Sequence, residues 1–186
     1  RNSYVITKGV IRELLGYYLE VNPEKIRFEY TSYGKPYVTN SNLNFNVSHS
    51  DDMAAFAFIS ESEIGVDIEK IKADFDVLEI AHNFFSKKEI EILEKQPKEE
   101  LPRAFYRCWT RKEAYIKVIG QGLSFNLDRF VVSLKRDGLD CLLRVDGSSE
   151  HAQRWCLGPI QAPNHYQAAV AVAGKISKIT YFDFQK

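Results

Sequence analysis

The stretch Ile64-Gly65-Val66-Asp67-Ile68-Glu69 alternates apolar or small residues with acidic ones, the period-two pattern of a β-strand. An extended backbone turns Val66 and Ile68 to one face and Asp67 and Glu69 to the other. The two acidic Cα atoms then stand about 6–7 Å apart. A solvated acidic edge is the commoner use of such a pair, so the meaning of this strand depends on what surrounds it.

Upstream, Val5, Ile6, Val10, Ile11, Leu14, Leu15, Tyr18 and Leu19 recur at helical spacing. This predicts a helix with Ser3 as its N-cap, ended by Asn22-Pro23. Ile26, Phe28 and Tyr30 alternate as a short strand. Tyr33-Gly34-Lys35-Pro36 reads as a turn, and Phe45–Ser48 and Met53–Ile59 read as two more strands. Downstream the order begins again with helices. Asp76–Phe85 is apolar at helical intervals, Ser86-Lys87-Lys88-Glu89 is a capping-box pattern, and a long helix runs from about Pro102 to Ile119, closed by Gly120. Strand-like runs follow at Phe130–Leu134, Leu139–Val145, Arg154–Leu157, Ala168–Ala173 and Ile176–Phe182. Helices grouped before strands, twice over, predict an α+β fold rather than alternating βαβ units. The seam is expected near Glu63, giving an N-terminal half 1–63 and a C-terminal half 64–186.

Composition narrows the function. The chain has 186 residues, 45% hydrophobic and 13% aromatic, enough for a sizeable core. Its 25 basic and 25 acidic residues give a formal charge of +0, which argues against nonspecific nucleic-acid binding. The longest apolar runs fall far short of a membrane span, and no charged-then-apolar leader opens the chain. Three cysteines without metal-ligand spacing suggest a reducing, cytoplasmic setting. Phosphate-binding glycine loops, the zinc-protease H-E-x-x-H and the G-x-S-x-G nucleophile turn are all missing from the sequence.

Four segments carry chemistry. Asp67 and Glu69 offer oxygen ligands that suit Mg²⁺, which also accepts waters and phosphate oxygens. In the long helix, Phe105, Trp109, Glu113 and Lys117 fall on one stripe at successive i+4 steps, aromatic below and charged above. Glu113 could add a third metal carboxylate or take a proton, and Lys117 could neutralise a phosphate oxygen. The Ser48-His49-Ser50 cluster could donate hydrogen bonds to an anion. Lys35 sits on a Gly-Lys-Pro turn, and Lys70 and Lys72 follow the acidic pair. Each signal alone is weak, and a surface ion pair or polar turn would explain it. Together they fit magnesium-assisted attack on a phosphate ester or anhydride, a reaction accelerated by positioning and charge neutralisation.

In combination, Gly34-Lys35-Pro36, Phe45–Ser50, Gly65–Glu69 and Trp109–Lys117 with Gly120-x-Gly122-Leu123 resemble the 4′-phosphopantetheinyl transferase family, in its longer, surfactin-type branch. The resemblance implies two similar α+β halves related by a pseudo-two-fold axis, with coenzyme A at their seam. It implies transfer of the phosphopantetheine arm to a serine of an apo acyl or peptidyl carrier protein, releasing adenosine 3′,5′-bisphosphate, by a cytoplasmic monomer without nucleic-acid or membrane partners. By the same resemblance, Asp67, Glu69 and Glu113 are Mg²⁺ (or Mn²⁺) ligands, Glu113 is the base and Lys117 stabilises the attacked phosphate or leaving group. Lys35, Ser48, His49 and Lys72 are implied contacts to the coenzyme A phosphates. Members of this branch usually carry a further basic N-terminal stretch that touches the nucleotide, whereas this sequence opens with Arg1 directly before its first helix. Two other readings have less support in the sequence. A nucleotidyl transferase would need a Gly-Ser turn upstream of the acidic pair and a basic face, and a silent binding module would not need three intact carboxylates and Lys117.

Overall fold

The computed structural model describes residues 2–122 and 125–184; the Leu123 of the family-like Gly-x-Gly-Leu run lies outside them. Helix α1 (Asn2–Leu19) leads into a one-turn 3₁₀ helix at Pro23–Lys25, where the Asn22 side chain accepts the Glu24 N–H. The hairpins β1 (Phe28–Tyr30) with β2 (Pro36–Val38) and β3 (Leu43–Ser50) with β4 (Met53–Ser60) follow, both antiparallel. Next come β5 (Ile64–Lys70), α2 (Val77–Phe84), α3 (Lys87–Glu94) and α4 (Leu101–Ile119). The chain continues through β6 (Phe130–Val132), β7 (Leu142–Val145), α5 (Ser149–Ala152), β8 (Trp155–Pro159) and β9 (Tyr166–Ala173). Strands β5, β9 and β8 form an antiparallel sheet in that order, and β6 pairs with β7. The architecture is α+β, as the grouping of elements predicts.

Three local expectations change. The first helix already includes Asn2, so Ser3 lies inside it rather than capping it. Ile176–Phe182 is not a strand. Its apolar residues recur every three positions rather than every two, and Ile176 and Ile179 pack as an irregular segment on Ile64, Val170 and Val172. The Leu139–Val145 strand shortens to Leu142–Val145, with Asp140 making only an isolated bridge to Leu157. The short helix α5, capped by Ser148, has no apolar periodicity to announce it.

Two constraints set the site. The first is the approach of β5 to α4. A Cβ on Gly65 would lie 2.2 Å from the Ala114 carbonyl oxygen and 2.5 Å from the Val118 nitrogen. Only glycine lets this strand run directly under the helix backbone. The second is a fully buried ion pair, Glu89 with Lys112, at 2.9 Å. Glu89 also accepts from Ser86 N–H and Oγ and from Val132 N–H. Lys112 donates to the carbonyls of Leu127 and Phe130, 2.8 Å each. The capping box read from sequence is thus half of a tether that binds α3 and α4 to the 127–132 segment.

Gly65→Ala should lower the unfolding free energy by about 3 kcal/mol in urea titrations, because the added methyl meets backbone rather than a movable side chain. Lys112→Met should cost about 3–5 kcal/mol by the same measurement, since Glu89 would remain buried without its counter-charge.

Candidate active site

Strand β3 places Asn46, Ser48 and Ser50 on one face by its period of two, and that face meets β5. The Asn46 side chain accepts the Val66 N–H at 2.9 Å, and Ser50 Oγ accepts the Lys70 N–H at 3.1 Å. Ser48 Oγ donates to Asp67 Oδ1 at 2.8 Å, and Ser50 Oγ donates to Glu69 Oε2 at 2.6 Å. The acidic face of β5 is therefore covered by hydroxyls from the neighbouring strand. Nothing about it is a solvated edge.

From the other side, α4 brings its stripe. Phe105 stacks on Trp109 and on Phe85, and Trp109 is tilted against Phe85, anchoring the lower part in the core. One and two turns higher, Glu113 and Lys117 reach the mouth of a cavity of about 780 Å³. Asp67, Glu69, Glu113, Lys117, Ser48 and His49 all line it. Its opposite wall is the segment Phe125–Asp128, which the Lys112 tether holds at Leu127.

The charges in this cavity are unbalanced. Lys117 Nζ lies 2.7 Å from Asp67 Oδ1 and 2.8 Å from Ser48 Oγ. Asp67 Oδ2 is buried and has no hydrogen-bond partner among the described residues. Burial pushes the Asp67 carboxyl above its usual range, against the pull of Lys117 and Ser48. Burial also raises Glu69, opposed by the Ser50 hydroxyl and reinforced by Asp67. Glu113 is pushed up to about 7, first by burial and then by the negative charge of Asp67, with Glu69 adding to it. Three carboxylates thus face one ammonium in a partly dry space.

That donor set fits a hard divalent cation: it is all oxygen, it carries excess negative charge, and one buried oxygen is orphaned. Among the described residues no three acidic, His or Cys side chains are gathered tightly enough to enclose an ion. The Lys117 ammonium is the cation that sits against Asp67.

The remaining sequence-predicted residues are placed differently. Lys35 Nζ pairs with Glu63 Oε2 at 2.6 Å and donates to the Val118 carbonyl at 3.3 Å, so it ties the turn to the end of α4 outside the cavity wall. Lys72 is exposed and lies within electrostatic reach of Glu69 without lining the cavity. The Glu89–Lys112 tether was missed from sequence, although the capping-box glutamate was visible; its partner lies 23 residues away along the chain.

Residues 63–171 match the sequence pattern of the 4′-phosphopantetheinyl transferase superfamily, and residues 1–61 match that of the N-terminal region of 4′-phosphopantetheinyl transferases. The chain belongs to the 4′-phosphopantetheinyl transferase superfamily. It is 34% identical over 178 residues to the 4′-phosphopantetheinyl transferase HetI of Nostoc, covering 94% of this chain and 72% of HetI. It is 41% identical over 130 residues to the 4′-phosphopantetheinyl transferase Sfp of Bacillus subtilis, covering 69% of this chain and 57% of Sfp. A mouse relative, the L-aminoadipate-semialdehyde dehydrogenase-phosphopantetheinyl transferase, is 32% identical over 185 residues, covering 88% of this chain and 58% of its own. This member of the superfamily thus spans from a little over half to nearly three quarters of the length of these relatives. Among its described residues no helix is long and apolar enough to cross a membrane.

The raised Glu113 has a measurable consequence for this transferase-family chain. A carboxyl that is harder to ionise when folded contributes stability below its unfolded pKa near 4.5 and loses it as pH rises toward about 7. In EDTA, the stability of Glu113→Gln relative to wild type should grow by about 3 kcal/mol between pH 4.5 and 7 and level off above it, read by urea unfolding.

Proposed function

We propose that this chain transfers the 4′-phosphopantetheine group of coenzyme A to a serine of an apo acyl or peptidyl carrier protein, releasing adenosine 3′,5′-bisphosphate. The observation that carries this reading is the meeting of Asp67, Glu69, Glu113 and Lys117 in one cavity, in a chain of this superfamily. The names of its relatives support the reaction class.

In this reading Asp67, Glu69 and Glu113 hold Mg²⁺ (or Mn²⁺). When bound, that ion supplies positive charge against the phosphate oxygens as negative charge builds there. His49 and Ser48 face the phosphates, with Lys35 and Lys72 as outlying cations toward the nucleotide. Coenzyme A lies between an N-terminal half, 1–63, and a C-terminal half, 64–186, which we take to be related by a pseudo-two-fold axis. The three free cysteines support a reducing, cytoplasmic compartment.

The chemistry follows from the side chains. The serine Oγ attacks the phosphorus that bears the pantetheine arm, and the bridging P–O bond to the nucleotide breaks as the new bond forms. Glu113 takes the hydroxyl proton, which its raised carboxyl is suited to do near neutral pH. Lys117 offsets charge on the departing oxygen. The cavity positions the two reactants, and the enzyme forms no covalent intermediate.

The test is to incubate the protein with apo carrier, coenzyme A and Mg²⁺ and weigh the carrier. A mass gain of one phosphopantetheine is expected, and no gain with a panel of carriers overturns the reading. Glu113→Gln should slow transfer by about 10²–10⁴-fold. Transfer at near wild-type rate in that variant would remove Glu113 as the base.

A further inference from the structure

Helix α4 carries a second charged stripe. Arg103, Arg107 and Arg111 also stand at i+4 steps. They are offset by two residues from Phe105, Trp109, Glu113 and Lys117, which is about 200° around the helix. The arginines therefore lie on the side of α4 away from the active-site cavity.

Arg103 and Arg107, with Arg136, line a separate cavity of about 400 Å³ whose polar wall also includes Glu100, Asn164 and Gln167. It shares no lining residue with the first cavity. On α4 the guanidinium groups are aimed by backbone carbonyls rather than by acids. Arg103 donates to the Asn164 carbonyl at 2.7 Å, Arg107 to that of Leu134 at 3.2 Å, and Arg111, just behind, to those of Ser133 and Lys135. Carbonyl oxygens fix direction but leave the full positive charge in place. Among the described residues the only carboxylate paired to this group is Glu100, 3.5 Å from Arg136. Arg107 is only 9% exposed. Its pKa is lowered by burial first and by repulsion from Arg111 and Arg136 after it, with Glu100 opposing the shift, the mark of cations crowded around one carboxylate.

We infer that this cavity is an oxyanion site that takes a phosphate group, either free phosphate or the phosphate of a small ester. Three guanidiniums against one carboxylate leave a surplus matched by a dianion, and the planar donor fork of arginine fits phosphate oxygens two at a time. The volume falls within the range of small-ligand pockets, about 300–1,000 Å³. The site lies outside the transfer chemistry and does not rest on it.

The test is calorimetric titration of the full chain with inorganic phosphate and, separately, with glycerol phosphate, in chloride buffer at low ionic strength. Saturable binding to one site is expected, weakened at least tenfold by Arg103→Gln and by Arg136→Gln and unchanged by His49→Ala, which probes the other cavity. Arg136 is largely exposed, its side chain 73% accessible, so its variant will fold. Tighter binding of the ester identifies an organic phosphate as the natural occupant, and tighter binding of inorganic phosphate identifies the free ion. Absence of saturation, affinity kept within threefold in the Arg103→Gln/Arg136→Gln double variant, or loss in His49→Ala overturns the assignment.

Discussion

The contact between Gly65 and the backbone of α4 is the constraint on which the site depends. Where a strand normally stands off from a helix by the thickness of two side chains, here a missing Cβ lets β5 run against the turn from Ala114 to Val118. That brings Asp67, two residues along the strand, within 2.7 Å of Lys117 on the helix. It also places Glu113 where burial first, and then Asp67 and Glu69, raise its pKa. The electrostatics of the cavity are thus set by a packing distance. Burying three carboxylates beside one ammonium is costly, and the surrounding frame of aromatic stacking and the buried Glu89–Lys112 tether carries that cost.

Much of this was legible in the sequence, because the determining patterns are local. The period of two in Ile64–Glu69 sets which face the carboxylates take. The period of four in α4 sets Glu113 and Lys117 above Phe105 and Trp109. Gly120, with φ 70°, ends α4 as a helix-terminating glycine should. That strand and stripe would converge was only implied by family resemblance, since no local pattern states which helix a strand will meet.

What the sequence did not yield is what only tertiary neighbours decide. Lys35 reads as a turn lysine, and that its ammonium pairs with Glu63 is visible only in the folded chain. Nothing in the local sequence marks Lys112, which is entirely buried, its charge divided among Glu89 and two carbonyls. The arginine stripe on α4 has the same spacing as the Phe105–Lys117 stripe, but single arginines on a helix are ordinarily solvated. Only the folded structure shows that Arg107 and Arg111 are buried against the carbonyls of Leu134 and Ser133. The loss of a strand at Ile176–Phe182 is different in kind. There the three-residue spacing was already inconsistent with a pleated strand.

The junction between β3 and β5 lacks a backbone ladder among the described residues and is closed by Asn46, Ser48 and Ser50 instead. A ladder is indifferent to side-chain identity and resists adjustment. A border stitched by individual polar side chains can be widened, narrowed or slid by single substitutions while each flanking core stays intact. Lineages carrying this architecture can therefore retune the spacing of β3 from β5 one residue at a time, without first reinventing either sheet.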